Sequence, residues 1–157
     1  RIGGRPHEED TAYFAQQVRP RLEQPHVEYL GEVAHEAKVE LLSTARALLF
    51  PIEWEEPFGL VVIEAMLCGC PVIAYPRGAV PEIVDEGITG FLAHDEDELA
   101  ALLLGPASPE RFDRQRCRLH AARRFSTARM ADDYLRVYQS VGLQQRLEPD
   151  AGPPLHA

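Results

Sequence analysis

Short apolar runs alternate along the chain with stretches in which apolar residues recur at helical spacing. One of these runs, residues 47–50, is continuous and stops at Pro51, so we expect a strand that is buried on both faces. Strands that are separated by single helices are typical of an α/β fold with a parallel sheet. The predicted strands are a segment ending at Ile2 and residues 27–30, 47–50, 71–75 and 90–93, and the predicted helices are residues 8–18, 34–45, 58–67 and 80–85.

The last third of the chain shows helical periodicity without further strand signals. Residues 95–104 and 109–124 predict two helices, and Ser126 is placed to cap another. That final helix carries an apolar stripe, which we expect to pack against this domain or near a junction with a second domain. We assign residues 1–142 to one domain and expect residues 143–157 to form a disordered tail. The stripe consists of Met130, Tyr134, Val137 and Val141.

Composition and charge narrow the function classes. The 157 residues suffice for one domain with a sizeable core, and no apolar run approaches the roughly 20 residues of a membrane span. Sixteen basic and 25 acidic residues give a net charge of −9, which argues against a nucleic-acid partner. Cys68, Cys70 and Cys117 lack a second ligand pair at zinc spacing, so we expect free thiols in a reducing compartment.

Two glutamates flank the predicted start of the helix at residues 58–67. Glu64 lies inside an apolar run, and Glu56 stands eight positions before it, just ahead of Pro57-Phe58-Gly59. The first amides of a helix lack internal partners and carry partial positive charge, and Gly59 leaves room for a close approach. Such a helix start suits a phosphate, and it follows the carboxyl end of a predicted strand, where ligands of open parallel sheets bind.

The spacing of Glu56, the helix start and Glu64 matches the dimensions of a nucleotide-sugar. Glu64 would lie roughly 7 to 8 Å along the helix from the phosphate, which a ribose with its paired hydroxyls could fill. Glu56, on the other side of the helix start, could accept hydrogen bonds from a second hydroxylated group. Spacing alone leaves two alternatives open: Glu64 could pair with an arginine, and Glu55 and Glu56 could form a solvated N-terminal turn.

The sequence of residues 56–74 also resembles that of a known family. Residues 56–66 read EPFGLVVIEAM, and residues 69–74 read GCPVIA. Both resemble the donor-site signature of retaining glycosyltransferases of family 4, with its Glu-x7-Glu pattern and a Phe-Gly after the first acid. Across roughly residues 1–142 the chain is similar to the C-terminal domain of that family. The resemblance implies a Rossmann-like parallel sheet flanked by helices, the C-terminal half of a GT-B enzyme whose active site lies in the cleft between two domains.

The resemblance implies a role for each matching residue. Glu56 would bind hydroxyls of the donor sugar and position it for transfer with retention, and Glu64 would bind the ribose diol. Val33 and Lys38 match positions that often line the base pocket in relatives. The backbone amides offered to the sugar and the phosphate would be those of Phe58, Gly59, Leu60 and Val61.

The resemblance also implies what accompanies this domain. A UDP-, GDP- or ADP-sugar would donate a hexose to a glycan, lipid or small-molecule acceptor, without a cofactor or a bound metal. The acceptor-binding domain, together with an Arg and a Lys that hold the diphosphate, would precede Arg1, so the chain is expected to be an N-terminally truncated fragment that is inactive alone. We expect a cytoplasmic protein whose parent could be peripheral at a membrane. The alternative is a non-catalytic module that only binds nucleotide-sugar; the intact Glu56 and Glu64 disfavour a remnant without a ligand.

Overall fold

The computed structural model describes residues 1–108 and 111–147, and the side chains of residues 1–108 and 111–142. Its strands are β1 (Ile2–Gly3), β2 (Tyr29–Gly31), β3 (Leu48–Phe50), β4 (Val72–Ala74) and β5 (Gly90–Leu92). Its α-helices are α1 (Thr11–Tyr13), α2 (Arg19–Leu22), α3 (His35–Thr44), α4 (Leu60–Leu67), α5 (Val80–Ile83), α6 (Glu96–Leu104), α7 (Arg114–Arg124) and α8 (Thr127–Leu147).

All strand pairings are parallel, as the alternation of strands and helices predicts. The larger sheet has the order β3-β4-β5, with Leu48 opposite Val72 and Val72 opposite Gly90. The strands β1 and β2 form a separate parallel pair. Because parallel strands end at the same edge of a sheet, the loops that follow β3, β4 and β5 lie on one side of the domain.

The core lies on both faces of β4, whose three residues are fully buried. On one face Val72 and Ala74 belong to a cluster that includes Met66 of α4 and Cys117 of α7. On the other face Ile73 is covered by apolar residues of α6. Helices on both faces of a parallel sheet make this a Rossmann-like α/β domain, so the predicted fold class is confirmed.

The thiols of the chain are free, as predicted, and two of them belong to the core. Cys70 and Cys117 are buried, and Cys68 is partly exposed. Burial raises the pKa of Cys70 to about 11 and that of Cys117 to about 12, because the thiolate would lose its hydration. These two side chains therefore act as small apolar residues of the core.

The prediction that the strand at residues 47–50 is buried on both faces is wrong. Leu49 of β3 is 43% exposed, although its partner Ile73 on β4 is fully buried. Among the described residues β3 pairs only with β4, so it lies at the edge of the larger sheet, where Leu49 stays open to solvent. A continuous apolar run shows that a strand suits a core, but it does not show whether the strand lies at the centre or at the edge of a sheet.

The first helical segment continues past Pro20, where the sequence predicts its end. A 3₁₀ turn at Glu8–Asp10 leads into α1, a π turn at Phe14–Val18 follows, and α2 then runs to Leu22. Pro20 lies in the first turn of α2, where its missing N–H costs little. The wider turn before it accommodates a proline that a regular helix would exclude.

The last helix begins where the sequence predicts and extends further. The Oγ of Ser126 accepts a hydrogen bond from the amide of Arg129 at 3.2 Å, so Ser126 caps α8. The described part of the helix runs to Leu147, so it includes the first five residues of the predicted tail, and residues 148–157 lie outside the described residues. Its apolar stripe is exposed rather than packed on this domain. Within the described residues, none of the helices combines the length and the apolar character that crossing a bilayer requires.

Candidate functional site

Glu56 is fixed by the loop that connects β3 to α4. Its Oε1 accepts hydrogen bonds from the amides of Gly59 at 2.8 Å and Phe58 at 3.3 Å. Its Oε2 accepts the indole Nε1–H of Trp54 at 3.3 Å. Gly59 precedes α4 with a φ of 75°, a left-handed conformation that favours glycine. Glu56 therefore caps the start of α4 with its side chain.

The same contacts keep Glu56 ionised. The hydrogen bond from the Gly59 amide, followed by that from the Phe58 amide, lowers the pKa of this carboxyl below its usual value of 4.5, and the Trp54 indole adds to the effect. Desolvation acts in the opposite direction and is outweighed. Near neutral pH the group is therefore an acceptor of hydrogen bonds and not an acid that delivers a proton.

The cap changes which amides are available to a ligand. The sequence predicts four, but those of Phe58 and Gly59 already donate to Glu56. The next two, of Leu60 and Val61, have no acceptor among the described residues. Two of the four amides predicted to face a ligand thus already have an acceptor in Glu56, and the role of all four toward a donor remains a prediction.

Glu64 lies one turn into α4, on its less buried face. Leu60, Val61 and Glu64 share this face, since residues three and four apart in a helix are neighbours, while Val62 and Ile63 are buried. A rise of 1.5 Å per residue puts Glu64 roughly 6 Å along the axis from Leu60. The two available amides point out of the N-terminal end of α4, and Glu64 lies about one turn further along its less buried face.

Lys38 of α3 is the partner of Glu64. Its Nζ lies 2.6 Å from Oε1 of Glu64, and about a third of each side chain is exposed. The alternative that Glu64 forms an ion pair is therefore correct in part. Its partner is a lysine and not an arginine, and the pair lies at the surface where α3 meets α4. The structure joins the residue predicted to contact the base to the one predicted to bind ribose.

Val33 does not lie with these residues. It lines a separate pocket of about 360 Å³ with Arg1, Leu30 and Leu41. A Cβ on Gly3 of β1 would lie 2.8 Å from its Cγ2, so Val33 packs closely against the smaller sheet. Neither Lys38 nor Glu64 lines that pocket, and the predicted role of Val33 at the base remains a prediction.

A second loop holds Glu56 in place, and the sequence pattern does not reveal it. The amide of Ala79 donates to the carbonyl of Glu56 at 2.7 Å, and the amide of Gly78 donates to Oε2 of Glu55 at 2.5 Å. A Cβ on Gly78 would overlap both the carbonyl oxygen and the backbone nitrogen of Glu56. Only glycine permits this close approach of the two backbones. Gly78 also has a φ of 56°, a left-handed conformation that favours glycine.

A groove of about 580 Å³ opens beside the start of α4. Phe58 and Leu60 line it on one side, and Met130 and Tyr134 of α8 line it on the other. Neither Glu56 nor Glu64 contributes to its walls. The predicted residues therefore surround the N-terminal half of α4 without sharing one cavity.

We also searched the described residues for clusters of side chains that could bind a metal ion. No three His, Cys, Asp or Glu side chains among them come together in an arrangement that could hold a metal ion. The chemistry available at the start of α4 is that of amide donors, carboxylates and one lysine.

Comparison with known proteins identifies the type of domain. The family model of "Glycosyl transferases group 1" matches residues 2–114. The chain is 38% identical over 117 residues to an alpha-maltose-1-phosphate synthase of Mycobacterium tuberculosis, covering 65% of this chain and 29% of that protein. It is 32% identical over 122 residues to a phosphatidyl-myo-inositol mannosyltransferase of Mycobacterium leprae, covering 74% of this chain and 32% of the relative.

Solved structures agree with this match. The Anabaena protein HepE, in complex with UDP and glucose, superimposes with a TM-score of 0.73 at 25% identity, over 88% of this chain and 39% of that one. The sucrose-phosphate synthase of Thermosynechococcus elongatus gives a TM-score of 0.74 at 28% identity, over 90% and 37% of the two chains. The predicted GT-B type of fold is confirmed by these neighbours. The chain spans about a third of the length of the relatives it matches. From the family model and these similarities together, the chain belongs to the group 1 glycosyl transferases.

Proposed function

We propose that this chain is the donor-binding domain of a retaining glycosyltransferase, which transfers a hexose from a nucleotide-diphosphate sugar to a glycan, lipid or small-molecule acceptor. The observation that carries the proposal is at the start of α4, where two amides without an acceptor among the described residues lie about one turn before the carboxylate of Glu64 on the less buried face of the helix. Membership of the family supports the reaction class.

The amides of Leu60 and Val61 are the part of the site that suits a phosphate. They carry the partial positive charge of a helix start and have no acceptor among the described residues. The side chain of Leu60 is largely exposed, so the neighbouring backbone can be reached from solvent. A phosphate oxygen here would accept hydrogen bonds from both amides and extend the capping that Glu56 begins.

Glu64 is placed to bind the ribose. A carboxylate can accept about four hydrogen bonds, and the bond from Lys38 uses one of them. The two hydroxyls of a ribose can therefore bind to Glu64 while the ion pair persists. Lys38 keeps the carboxylate in one orientation and offsets its charge near the phosphate; the predicted contact of Lys38 with the base remains part of the proposal.

Glu56 is assigned to the donor sugar. Its Oε1 is used by two amides, whereas among the described residues its Oε2 accepts only the indole N–H of Trp54 and can accept a hydroxyl in addition. The lowered pKa keeps it ionised, which suits an acceptor that orients a sugar. The leaving diphosphate requires more positive charge than two amides supply, and basic groups of a longer protein would complete it. We propose that the transfer proceeds in the cytoplasm, without a bound metal, between this domain and an acceptor-binding domain.

Binding of the donor is tested directly by calorimetry with the chain. UDP, GDP and ADP, and the glucose and mannose derivatives of each, are titrated into wild-type protein and Glu64→Ala. The expected result is heat of binding with one nucleotide series, weakened about tenfold or more in the variant, since hydrogen bonds to a charged group are strong. If none of the nucleotides binds, or if Glu64→Ala binds as tightly as the wild type, the donor-site assignment fails.

Transfer is tested in a longer protein that carries this domain. Glu56→Ala is expected to abolish turnover of the nucleotide-sugar, whereas Glu53→Ala, a change to an exposed acid of the same loop, is expected to preserve it. Unchanged turnover in Glu56→Ala would exclude the role given to Glu56. Donor binding without turnover in the unsubstituted protein would instead indicate a module that only binds nucleotide-sugar.

A further inference from the structure

The loop that carries Glu56 also presents the only tryptophan of the chain. Ile52, two residues before Trp54, is buried in the domain. On the other side, Gly78 and Ala79 hold the side chain of Glu55 and the backbone of Glu56 with two hydrogen bonds. The segment that carries the indole is therefore fixed at both ends, close to the carboxyl end of β3.

The indole of Trp54 is exposed and makes one hydrogen bond to Glu56. The side chain is 61% exposed, and its Nε1 donates to Oε2 of Glu56 at 3.3 Å. An exposed tryptophan alone carries little information, because single apolar residues are common on protein surfaces. Here the hydrogen bond anchors one edge of the ring to the acid assigned to the donor sugar and leaves most of the ring surface in solvent.

We propose that Trp54 forms the apolar wall of the sugar subsite and stacks on the C–H face of the donor hexose whose hydroxyl Glu56 binds. A hexose has polar hydroxyls at its rim and a patch of C–H groups on its face. A carboxylate with one accepting oxygen still available, at the edge of an aromatic ring whose face is exposed, matches both parts of such a molecule. Trp54 thereby contributes to the selection of a sugar over a bare diphosphate.

This inference rests on the proposed function, and its first test uses the fluorescence of Trp54. Because the chain has one tryptophan, its emission reports on this position alone. UDP, GDP and ADP are each compared with their glucose derivatives. The expected result is a change in emission with one nucleotide-glucose that is larger than the change with the matching diphosphate. Equal changes with both ligands would overturn the sugar-stacking role.

The second test separates the ring from the hydrogen bond by calorimetry. Trp54→Leu is expected to weaken binding of the nucleotide-glucose about tenfold while the affinity for the matching diphosphate stays the same. Trp54→Phe, which keeps a ring and loses the N–H, is expected to recover most of the affinity. Tyr13→Leu, which removes an equally exposed aromatic from α1, serves as the control and is expected to change neither affinity.

The outcomes distinguish the inference from the proposed function. If a diphosphate and its glucose derivative bind, but Trp54→Leu lowers neither affinity or lowers both equally, the inference is wrong and the donor site stands. If no diphosphate and no nucleotide-glucose binds to the wild-type chain, both are wrong. Thermal unfolding of Trp54→Leu is expected to match the wild type, because the side chain is exposed.

Discussion

Lys38 and Glu64 join α3 to α4 through a single short ion pair, with Nζ 2.6 Å from Oε1. The acid at the centre of the donor-site proposal is thus already oriented before any ligand is present. Pre-orientation lowers the entropic cost of binding, because the side chain does not have to be ordered when the ligand arrives. It also gives Glu64 a structural role that can be measured separately from its proposed role in binding.

The contribution of this ion pair to stability can be isolated by a double-mutant cycle. Lys38→Met, Glu64→Gln and the double variant are compared with the wild type in urea unfolding. We expect a coupling free energy of about 0.5 to 1 kcal/mol, because the pair is short but still reached by solvent. A coupling free energy of zero would contradict the view that Lys38 holds Glu64 in place.

The close approach of Gly78 to Glu56 predicts an unusual sensitivity to a single methyl group. Gly78→Ala would place a Cβ in overlap with the carbonyl oxygen of Glu56 and would strain a backbone with a φ of 56°. We expect the free energy of unfolding to fall by about 2 to 4 kcal/mol, from strain and overpacking together. Urea unfolding measures this loss. Binding of the nucleotide-sugar should weaken as well, since Glu56 must move.

Gly87→Ala is the matched control for this substitution. Gly87 has a φ of 71°, but no other group lies within 4 Å of the position that a Cβ would take, so the change tests backbone strain without the clash. Its expected loss is only about 1 to 2 kcal/mol. Equal losses of stability for the two variants would show that Gly78 does not hold the loop of Glu56 through close contact.

The lowered pKa of Glu56 predicts a pH dependence with a definite sign. Its folded-state pKa lies below the unfolded value of 4.5, so the ionised carboxylate stabilises the fold above that pH. The stabilisation is expected to disappear as the pH falls through the folded-state pKa. Thermal unfolding from pH 7 to pH 3 should therefore show a wild-type advantage over Glu56→Gln that shrinks below about pH 4.5. An advantage that is constant, or that grows towards acid pH, would contradict the capping role of this side chain.

Arg124 is expected to hold α5, and with it the loop that contacts Glu56. Its Nη1 donates to Oδ2 of Asp85 at 2.6 Å, and its guanidinium also donates to the carbonyls of Glu82 and Ile83. Arg124→Met should lower the free energy of unfolding by about 1 to 2 kcal/mol. The neighbouring exposed Arg123 offers the control, and Arg123→Met should change stability by less than about 0.5 kcal/mol. Equal melting temperatures for both variants would contradict this role.

The periodicity of the sequence is sufficient to predict most of the fold. The strands β3, β4 and β5 and the helices between them lie where the alternation of apolar runs places them. The errors come from effects that a local pattern does not contain. The exposure of Leu49 reflects the position of β3 at the edge of the larger sheet, and the continuation of the first helical segment through Pro20 follows a π turn.

The sequence predicts which acids lie near the start of α4, but it does not predict the contacts that they make. The spacing of Glu56 and Glu64 around a helix start indicates which acids matter, and both lie beside the N-terminal half of α4. Spacing does not reveal that Glu56 turns back to take the amides of Phe58 and Gly59, because that depends on the left-handed φ of Gly59. The contact with Gly78 is equally hidden, since it joins residues far apart in sequence.

The most direct measurement of the central claim compares UDP, GDP and ADP with their 2′,3′-dideoxy analogues, by calorimetry, on the wild type and on Glu64→Ala. If Glu64 binds the ribose beside a phosphate held by α4, the wild type should prefer the ribose form of its nucleotide by about tenfold or more. In Glu64→Ala that preference should shrink to nearly equal affinities. Equal affinities in the wild type, or an unchanged preference in the variant, would contradict a nucleotide site at this helix.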